Sequence, residues 1–433
     1  MNETKQNTNQ ELPLDSPNLF TRRHFLQTTA ALGSLAGATP SLLWARSEET
    51  SANDISPITN CWGKAKTTVV DVEHVLVFRG YEGQSYSHEP QLTSHNGKLL
   101  ATWSLGLRNE ESPGQRMVLS ISEDQGRSWT KPITIAPSHK GQFADSMLVG
   151  SGIHVHGDTL VAYYAEYECS SEALNPDGTR KDTGGFLNLR TEARVSRDGG
   201  LTWSDPLPIM RNFQNAKPPV ATKSGRLIFP GNYTYPYTDD PAGLTGWKRV
   251  GIAGVPDDYF DCNAYGSGGA KLIGSSEPFS EASSFYQTDD SVIHMMLRNN
   301  NIRAKRLGVT ESSDDGLTWS KPRLTGYTDS ICRSSFGRLP DGRFYGISCP
   351  DPIRGGRTPV VLATSHDGIV FDRHYVLGSE PRTQPRIPGN HKGGRYGSPY
   401  LHVMEDMAFM IYSQEKEDIF VGRFPLSAIR EGD

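Results

Sequence analysis

Apolar and polar residues alternate through most of this chain, and the alternating runs come in pairs hinged on a short turn. Six such pairs are visible: HEPQLTSHNGKLLATWS from His88, DSMLVGSGIHVHGDTLVAYYAEY from Asp145, KPPVATKSGRLIFPGNY from Lys217, EASSFYQTDDSVIHMMLRN from Glu281, CRSSFGRLPDGRFYGISCP from Cys332 and RYGSPYLHVMEDMAFMIYS from Arg395. Alternation of period two puts successive side chains on opposite faces, so each run predicts a half-buried strand and each pair a hairpin. The hinges carry Asn-Gly, Gly-Asp, Ser-Gly, Asp-Asp, Asp-Gly and Glu-Asp, residues suited to tight turns. No run of helical period reaches the length of an ordinary helix.

A second repeat falls between the pairs. SEDQGRSW (Ser122–Trp129), SRDGGLTW (Ser196–Trp203) and SSDDGLTW (Ser312–Trp319) share one pattern, and SHDGIVF (Ser365–Phe371) is a degenerate copy lacking one residue between Asp and Gly. Its Ser and Asp bond to turn backbone, its Gly takes a positive φ, and its Trp packs back onto the sheet, which makes it a hairpin staple rather than a catalytic group. The pattern S-x-D-x-G-x-(S/T)-W is similar to the Asp-box, or BNR repeat, of sialidases and related propellers. Six units of about 65 residues suit blades of four strands, and radial repetition hides sheet edges. The expected fold is therefore all-β: a six-bladed propeller of four-stranded antiparallel blades over residues 67–433. The run Thr67–Phe78 would supply the outer strand that the last blade lacks, and residues 46–66 read as a flexible leader.

Composition narrows the function. The chain has 433 residues, 36% of them hydrophobic, with 44 Lys and Arg against 49 Asp and Glu. The apolar content argues against disorder, and the lack of a basic excess argues against nucleic acid as a partner. One long apolar stretch lies near the N-terminus, behind Arg22-Arg23-His24-Phe25-Leu26. It resembles a twin-arginine export signal over residues 1–45, which implies a periplasmic or extracellular protein without stable membrane insertion once the signal is cleaved. A membrane anchor is the other reading of that stretch, weakened by its Gly and Thr. The five cysteines are widely spaced and form no Cys/His cluster, so no metal and no cofactor is expected, and one disulfide after export stays open.

The equivalent repeat positions bring ionisable residues to one expected face: His88, Glu89, Asp145, Lys217, Glu281, Arg333, Arg395 and Tyr396, with Arg108, Glu110, Glu111, Glu166, Asn232, Arg298 and Asp351 at the paired strand ends. Glu281 followed by Arg298 and then a box at Ser312 resembles the sialidase blade in which a Glu polarises a tyrosine nucleophile and an Arg binds the substrate carboxylate. Cys349-Pro350-Asp351-Pro352 with Arg357 is similar to the stretch carrying another carboxylate-binding Arg. The resemblance implies Tyr396 as nucleophile, with Tyr400 as rival, Glu281 as its base, Glu110 or Glu111 as the acid/base, and Arg298 and Arg357 on a sugar carboxylate. Guanidinium pairs bind carboxylates in two-point fashion. The chain departs from sialidases at His88-Glu89-Pro90, where they carry an Arg; Arg79, Arg333 or Arg395 would have to replace it.

Three readings follow. The first is an exported sialidase-like exo-glycosidase whose substrate is an acidic glycan. The second is a uronate-directed lyase, or a His-dependent glycosidase, in which His88 beside Glu89 moves the proton. The third is a non-catalytic carbohydrate-binding propeller using Tyr81, Tyr86, Tyr164, Tyr233 and Trp247 as aromatic faces.

Overall fold

The computed structural model describes residues 55–176, 181, 186–232, 234–253, 279–301 and 303–430. The segment 1–45, Tyr233 and Cys262 lie outside the described residues.

The hairpin pairs become sheets. The first sheet orders Tyr86–His95, Lys98–Gly106, Arg116–Ser122 and Ile133–Ala136; the second orders Met147–His156, Thr159–Cys169, Phe186–Ser196 and Leu207–Arg211, all antiparallel. The third is a three-stranded remnant, Val220–Ala221, Leu227–Ile228 and Tyr237–Thr238. The fourth (Phe279–Gln287, Ile293–Asn299, Arg306–Ser312, Arg323–Thr328) and the fifth (Ser335–Arg338, Phe344–Ser348, Val360–Ser365, Arg373–Gly378) each hold a fifth strand. The sixth orders Gly397–Met404, Met407–Gln414, Asp418–Pro425 and Glu73–Phe78.

The N-terminal region corrects the sequence expectation. Residues 55–66 are not a loose leader in full, because Ile55–Thr59 pairs in parallel with Arg323–Thr328 at the edge of the fourth sheet. The run expected as one strand from Thr67 to Phe78 divides. Lys66–Val69 extends the fifth sheet in parallel beside Arg373–Gly378, and only Glu73–Phe78 joins Asp418–Pro425 in the sixth, antiparallel. A uniform set of four-stranded blades is thus replaced by sheets of three, four and five strands, with Ile55–Thr59 and Lys66–Val69 as the added fifth strands.

The cores lie between sheets. One cluster joins Leu100, Met117 and Leu119 of the first sheet to Leu148, Leu160 and Ala162 of the second. Others join second to third through Tyr163 and Phe229, third to fourth through Ile228 and Met295, and fourth to fifth through Met296 and Phe344. Leu362 and Met410 join fifth to sixth, and Phe409 and Ile411 pack on Leu99 and Trp103 of the first.

The boxes fasten these contacts. In the second sheet Ser196 Oγ donates to Asp198 at 2.7 Å and accepts from the Gly200 amide at 2.9 Å, while Trp203 Nε1 donates to the Gly200 carbonyl at 3.1 Å. Asp198 accepts from the Leu201 and Thr202 amides and from the Thr202 hydroxyl, which holds its carboxyl down at about 2. Gly200 lies at φ +95° against Leu119 of the first sheet, and Gly316 at φ +82° against Ile228 of the third. These two boxes therefore press their glycines onto the preceding sheet, where no Cβ fits without displacing a neighbour. No helix among the described residues is long and apolar enough to cross a membrane.

Candidate active site

Local irregularities in the first strands build the site. In the first sheet, pairing passes from His88↔Ser104 to Gln91↔Thr102, so Glu89 and Pro90 oppose one residue. The same two-against-one bulge falls at Ser151-Gly152, at Ser280-Glu281 and at Ser398-Pro399, in the second, fourth and sixth sheets. A bulge bends its strand and re-aims a side chain. Glu89 at φ +57° and Ser398 at φ +49° take left-handed backbone within these bulges, and Glu111, Arg357 and Lys416 do so in loops nearby (φ +47°, +57° and +55°). Such strained positions gather where geometry is functional. First strands of the first and second, fourth and fifth, fifth and sixth, and sixth and first sheets touch one another, and Arg333 ties the bulge of the first sheet to that of the fourth.

A layer of buried charge results. Arg298 faces the bulge of its own hairpin, and its Nη1 donates to Glu281 Oε2 at 2.8 Å. Arg333, 4% exposed, spans two sheets: it bonds Glu281 through Nη2 and lies 2.8 Å from Glu89 Oε1 through Nη1. Burial alone would raise the Glu281 carboxyl, but Arg333 and Arg298 outweigh it and hold it far below the usual carboxylate range. Glu89 shares one guanidinium, and there burial wins over Arg333, with Glu281 adding repulsion, so its carboxyl is pushed up to about 7. Two carboxylates in one layer thus have opposite proton affinities.

A second group adjoins this layer. His88 Nδ1 is hydrogen-bonded to Ser413 Oγ at 2.7 Å, and Ser398 Oγ lies 3.4 Å from Nε2. Burial, then the positive charges of Lys416, Arg357, Arg333 and Arg298, push this imidazole well below its ordinary range, so it is neutral. Lys416 Nζ donates to Glu110 Oε2 at 2.5 Å, and the Tyr86 hydroxyl donates to Glu110 Oε1 at 3.3 Å. Burial favours the neutral acid at Glu110, yet Lys416 and Arg357 keep it ionised and below its usual value. Glu111 is half-buried at the same turn, its amide donating to Gln115 Oε1 at 3.1 Å. Arg357 is half-buried and has no ion-pair or hydrogen-bond partner for its guanidinium among the described residues; its Nη1 is buried and unpaired, as is Nε of Arg298.

Several expected residues point elsewhere. The Tyr396 ring is fully buried between the fifth and sixth sheets, 5.0 Å from the Tyr412 ring, and its hydroxyl bonds Glu380 rather than Glu281. Arg395 stands 3.9 Å from that same Glu380. Tyr400 is turned to Lys217, whose Nζ lies 5.0 Å from the ring centroid. Asp145 pairs with the exposed Lys140 at 2.6 Å on a loop, Glu166 is held by Arg190 and His139, and Asp351 caps its own turn through the Ile353 and Arg354 amides.

Sequence reasoning missed Lys416, which sits in a polar hairpin reading as a solvated turn, and Asp329, whose burial pushes its carboxyl up to about 8. Only a structure shows either one buried. Cys332 and Cys349 meet at the Tyr396 carbonyl, 3.7 and 3.6 Å away, and among the described residues neither they nor Cys61 and Cys169 are joined in a disulfide. Among the described residues no group of His, Cys, Asp and Glu is placed to hold a metal ion.

Residues 97–411, more than half of the chain, match the model of the BNR repeat-like domain. The chain belongs to that family. Among solved structures, a sialidase aligns over 86% of this chain and 34% of its own length at 19% identity and TM-score 0.55. The Trypanosoma rangeli sialidase aligns over 84% and 61% at 13% identity and TM-score 0.58. A Dyadobacter fermentans protein of unknown function aligns over 81% and 97% at 16% identity and TM-score 0.55. This BNR protein thus spans about a third of the first sialidase and most of the Dyadobacter protein, and at these identities the shared property is the sialidase-like propeller fold. No curated protein matches it.

Proposed function

We propose that this BNR protein is an exported, glycan-active enzyme on a closed six-bladed propeller, an exo-glycosidase that grips an acidic sugar by its carboxylate. The observation that carries this reading is the Arg357 guanidinium, which has no partner among the described residues and acts on His88 and Glu110 together with Arg298 and Lys416. A guanidinium whose buried Nη1 has no acceptor among the described residues is costly unless an anion arrives to meet it. Glu110, ionised beside Lys416, can give a proton to a leaving oxygen only after a bound sugar displaces the lysine and the carboxylate takes up a proton from solvent; Glu111 stands next to it.

The sialidase-type step, attack by Tyr396 with Glu281 as base, is the weaker half. A carboxylate held ionised by two guanidinium groups is a poor base, and the Tyr396 hydroxyl is engaged by Glu380. The second reading is elimination from a uronate, in which His88, held neutral, accepts the proton α to the carboxylate, the β carbon–oxygen bond breaks to release the leaving group, and the guanidinium groups stabilise the enolate charge.

Incubation with a fluorogenic sialoside, and separately with uronate polysaccharides under ultraviolet detection of unsaturated product, separates the readings. Fluorescence supports hydrolysis and absorbance supports elimination; silence in both, with glycan binding, supports a lectin. Export by the twin-arginine route predicts that replacing Arg22 and Arg23 together by Lys retains the protein in the cytoplasm.

A further inference from the structure

One titratable group in the charge layer has no role in either reaction. Lys217 precedes the first strand of the third sheet and is 1% exposed. Its Nζ makes no hydrogen bond among the described residues and lies over the Tyr400 ring at 5.0 Å. The groups acting on it come from four elements: Arg333 and Cys332 before the fifth sheet, Glu89 in the first, Glu281 in the fourth and Tyr400 in the sixth. Both carboxylates are already bridged by Arg333, and Glu281 by Arg298 as well.

An ammonium without an acceptor in such a place costs several kcal/mol, and the usual escape is loss of the proton. Here burial, reinforced by Arg333, lowers the amine to about 7. A negative charge fixed above the layer would reverse that balance, since each anion nearby favours the charged amine.

We propose that Lys217 couples the binding of an acidic ligand to proton uptake: when a carboxylate settles against Arg298, which pairs with Glu281, and Arg357, the buried amine near Glu281 takes one proton from solvent and keeps it while the anion stays. The inference rests on the acidic-ligand reading above. Lys217 is a positioning residue here. Its charge, returned by the ligand, anchors Glu89 and Glu281 against the Arg333 bridge. The reaction is balanced: the neutral amine and one solvent proton give the ammonium, and release of the ligand returns that proton.

The sign is fixed by linkage. Below about 7 Lys217 is already protonated and affinity is insensitive to it; above about 7 each ligand must bring a proton, and affinity falls as pH rises. The limit is a tenfold weaker Kd per pH unit. The test is calorimetric titration of the full chain with N-acetylneuraminic acid and with D-glucuronic acid, from about pH 6 to about pH 9, in two buffers of different ionisation enthalpy.

Wild type is expected to take up close to one proton at about pH 8, with Kd rising up to tenfold per pH unit. Lys217→Arg, permanently charged, is expected to bind with a flat profile and no uptake. Glu89→Gln is expected to keep the slope. Binding by wild type without proton uptake overturns the coupling even if Lys217→Arg does not fold, and so does a slope that survives in Lys217→Arg or vanishes in Glu89→Gln. Failure of both acids to bind at about pH 6 removes the acidic-ligand reading and this inference with it.

Discussion

Replacing Glu89 by Gln tests the charge layer without any ligand. The Glu89 carboxyl titrates at about 7 in the folded protein against an ordinary value of 4.5, and it is 7% exposed, so solvent screens it little. A carboxyl raised by folding binds more protons folded than unfolded between those values. Its contribution to stability is present in full at low pH and is lost as pH rises through about 7. Two and a half pH units at about 1.4 kcal/mol each amount to a loss of about 3 kcal/mol on going from acid to neutral. Glu89→Gln cannot titrate, so its stability relative to wild type is expected to climb by about 3 kcal/mol over that range, whatever fixed offset the amide introduces. Urea unfolding of both proteins, in steps from about pH 5 to about pH 8 at constant ionic strength, measures the difference. A difference that stays constant to within about 0.5 kcal/mol would refute the argument, because it would mean Glu89 is either hydrated or ionised throughout by Arg333.

Other outcomes follow from single contacts. Arg357→Met, which removes an unpaired guanidinium, is expected to leave the melting temperature unchanged or raised while weakening acidic-ligand binding by tenfold or more; unchanged binding removes Arg357 from the site. Tyr396→Phe deletes the hydroxyl held by Glu380 and is expected to lower stability by about 1–2 kcal/mol while turnover persists, so complete loss of turnover in a folded variant would restore Tyr396 as nucleophile. Gly316→Ala, at φ +82° against Ile228, is expected to cost about 1–3 kcal/mol by denaturation with no change in ligand affinity.

The fold was legible because each level of the sequence agreed with the next. Alternation marked strands, Asn96-Gly97 and its counterparts marked hairpins, and the boxes marked the turn after the third strand of a sheet. The N-terminal strands were not. Periodicity reports which face of a strand is buried, not which partner it meets, and Lys66–Val69 is exposed at all four positions, so burial left no trace in its residues. Nothing in the alternation of Val69 to Phe78 says that the run breaks between two sheets.

The site was legible only where its chemistry repeats a motif. Glu281 and Arg298 lie across one hairpin, seventeen residues apart, and a bulge brings them together; that pair can be read from spacing. Tyr396 has the right repeat phase but the wrong rotation. The bulge at Ser398-Pro399 begins two residues after it, and Tyr396 drops into the cleft between sheets while His88 packs beside Gly397. A first-sheet arginine would bring its own charge to this layer. With His88 and Glu89 at that bulge, Arg333, just before the fifth sheet, must serve both carboxylates, and Arg357 is left without one among the described residues. The departure from the sialidase pattern is therefore not one substitution with a vacancy behind it. It redistributes charge: an added carboxylate in the first sheet captures an arginine, and the buried amine of Lys217 next to them is left to titrate near neutrality. Ligand chemistry for this charge layer should accordingly be sought among acids whose binding depends on pH in the neutral range, which the sialidase resemblance alone would not suggest.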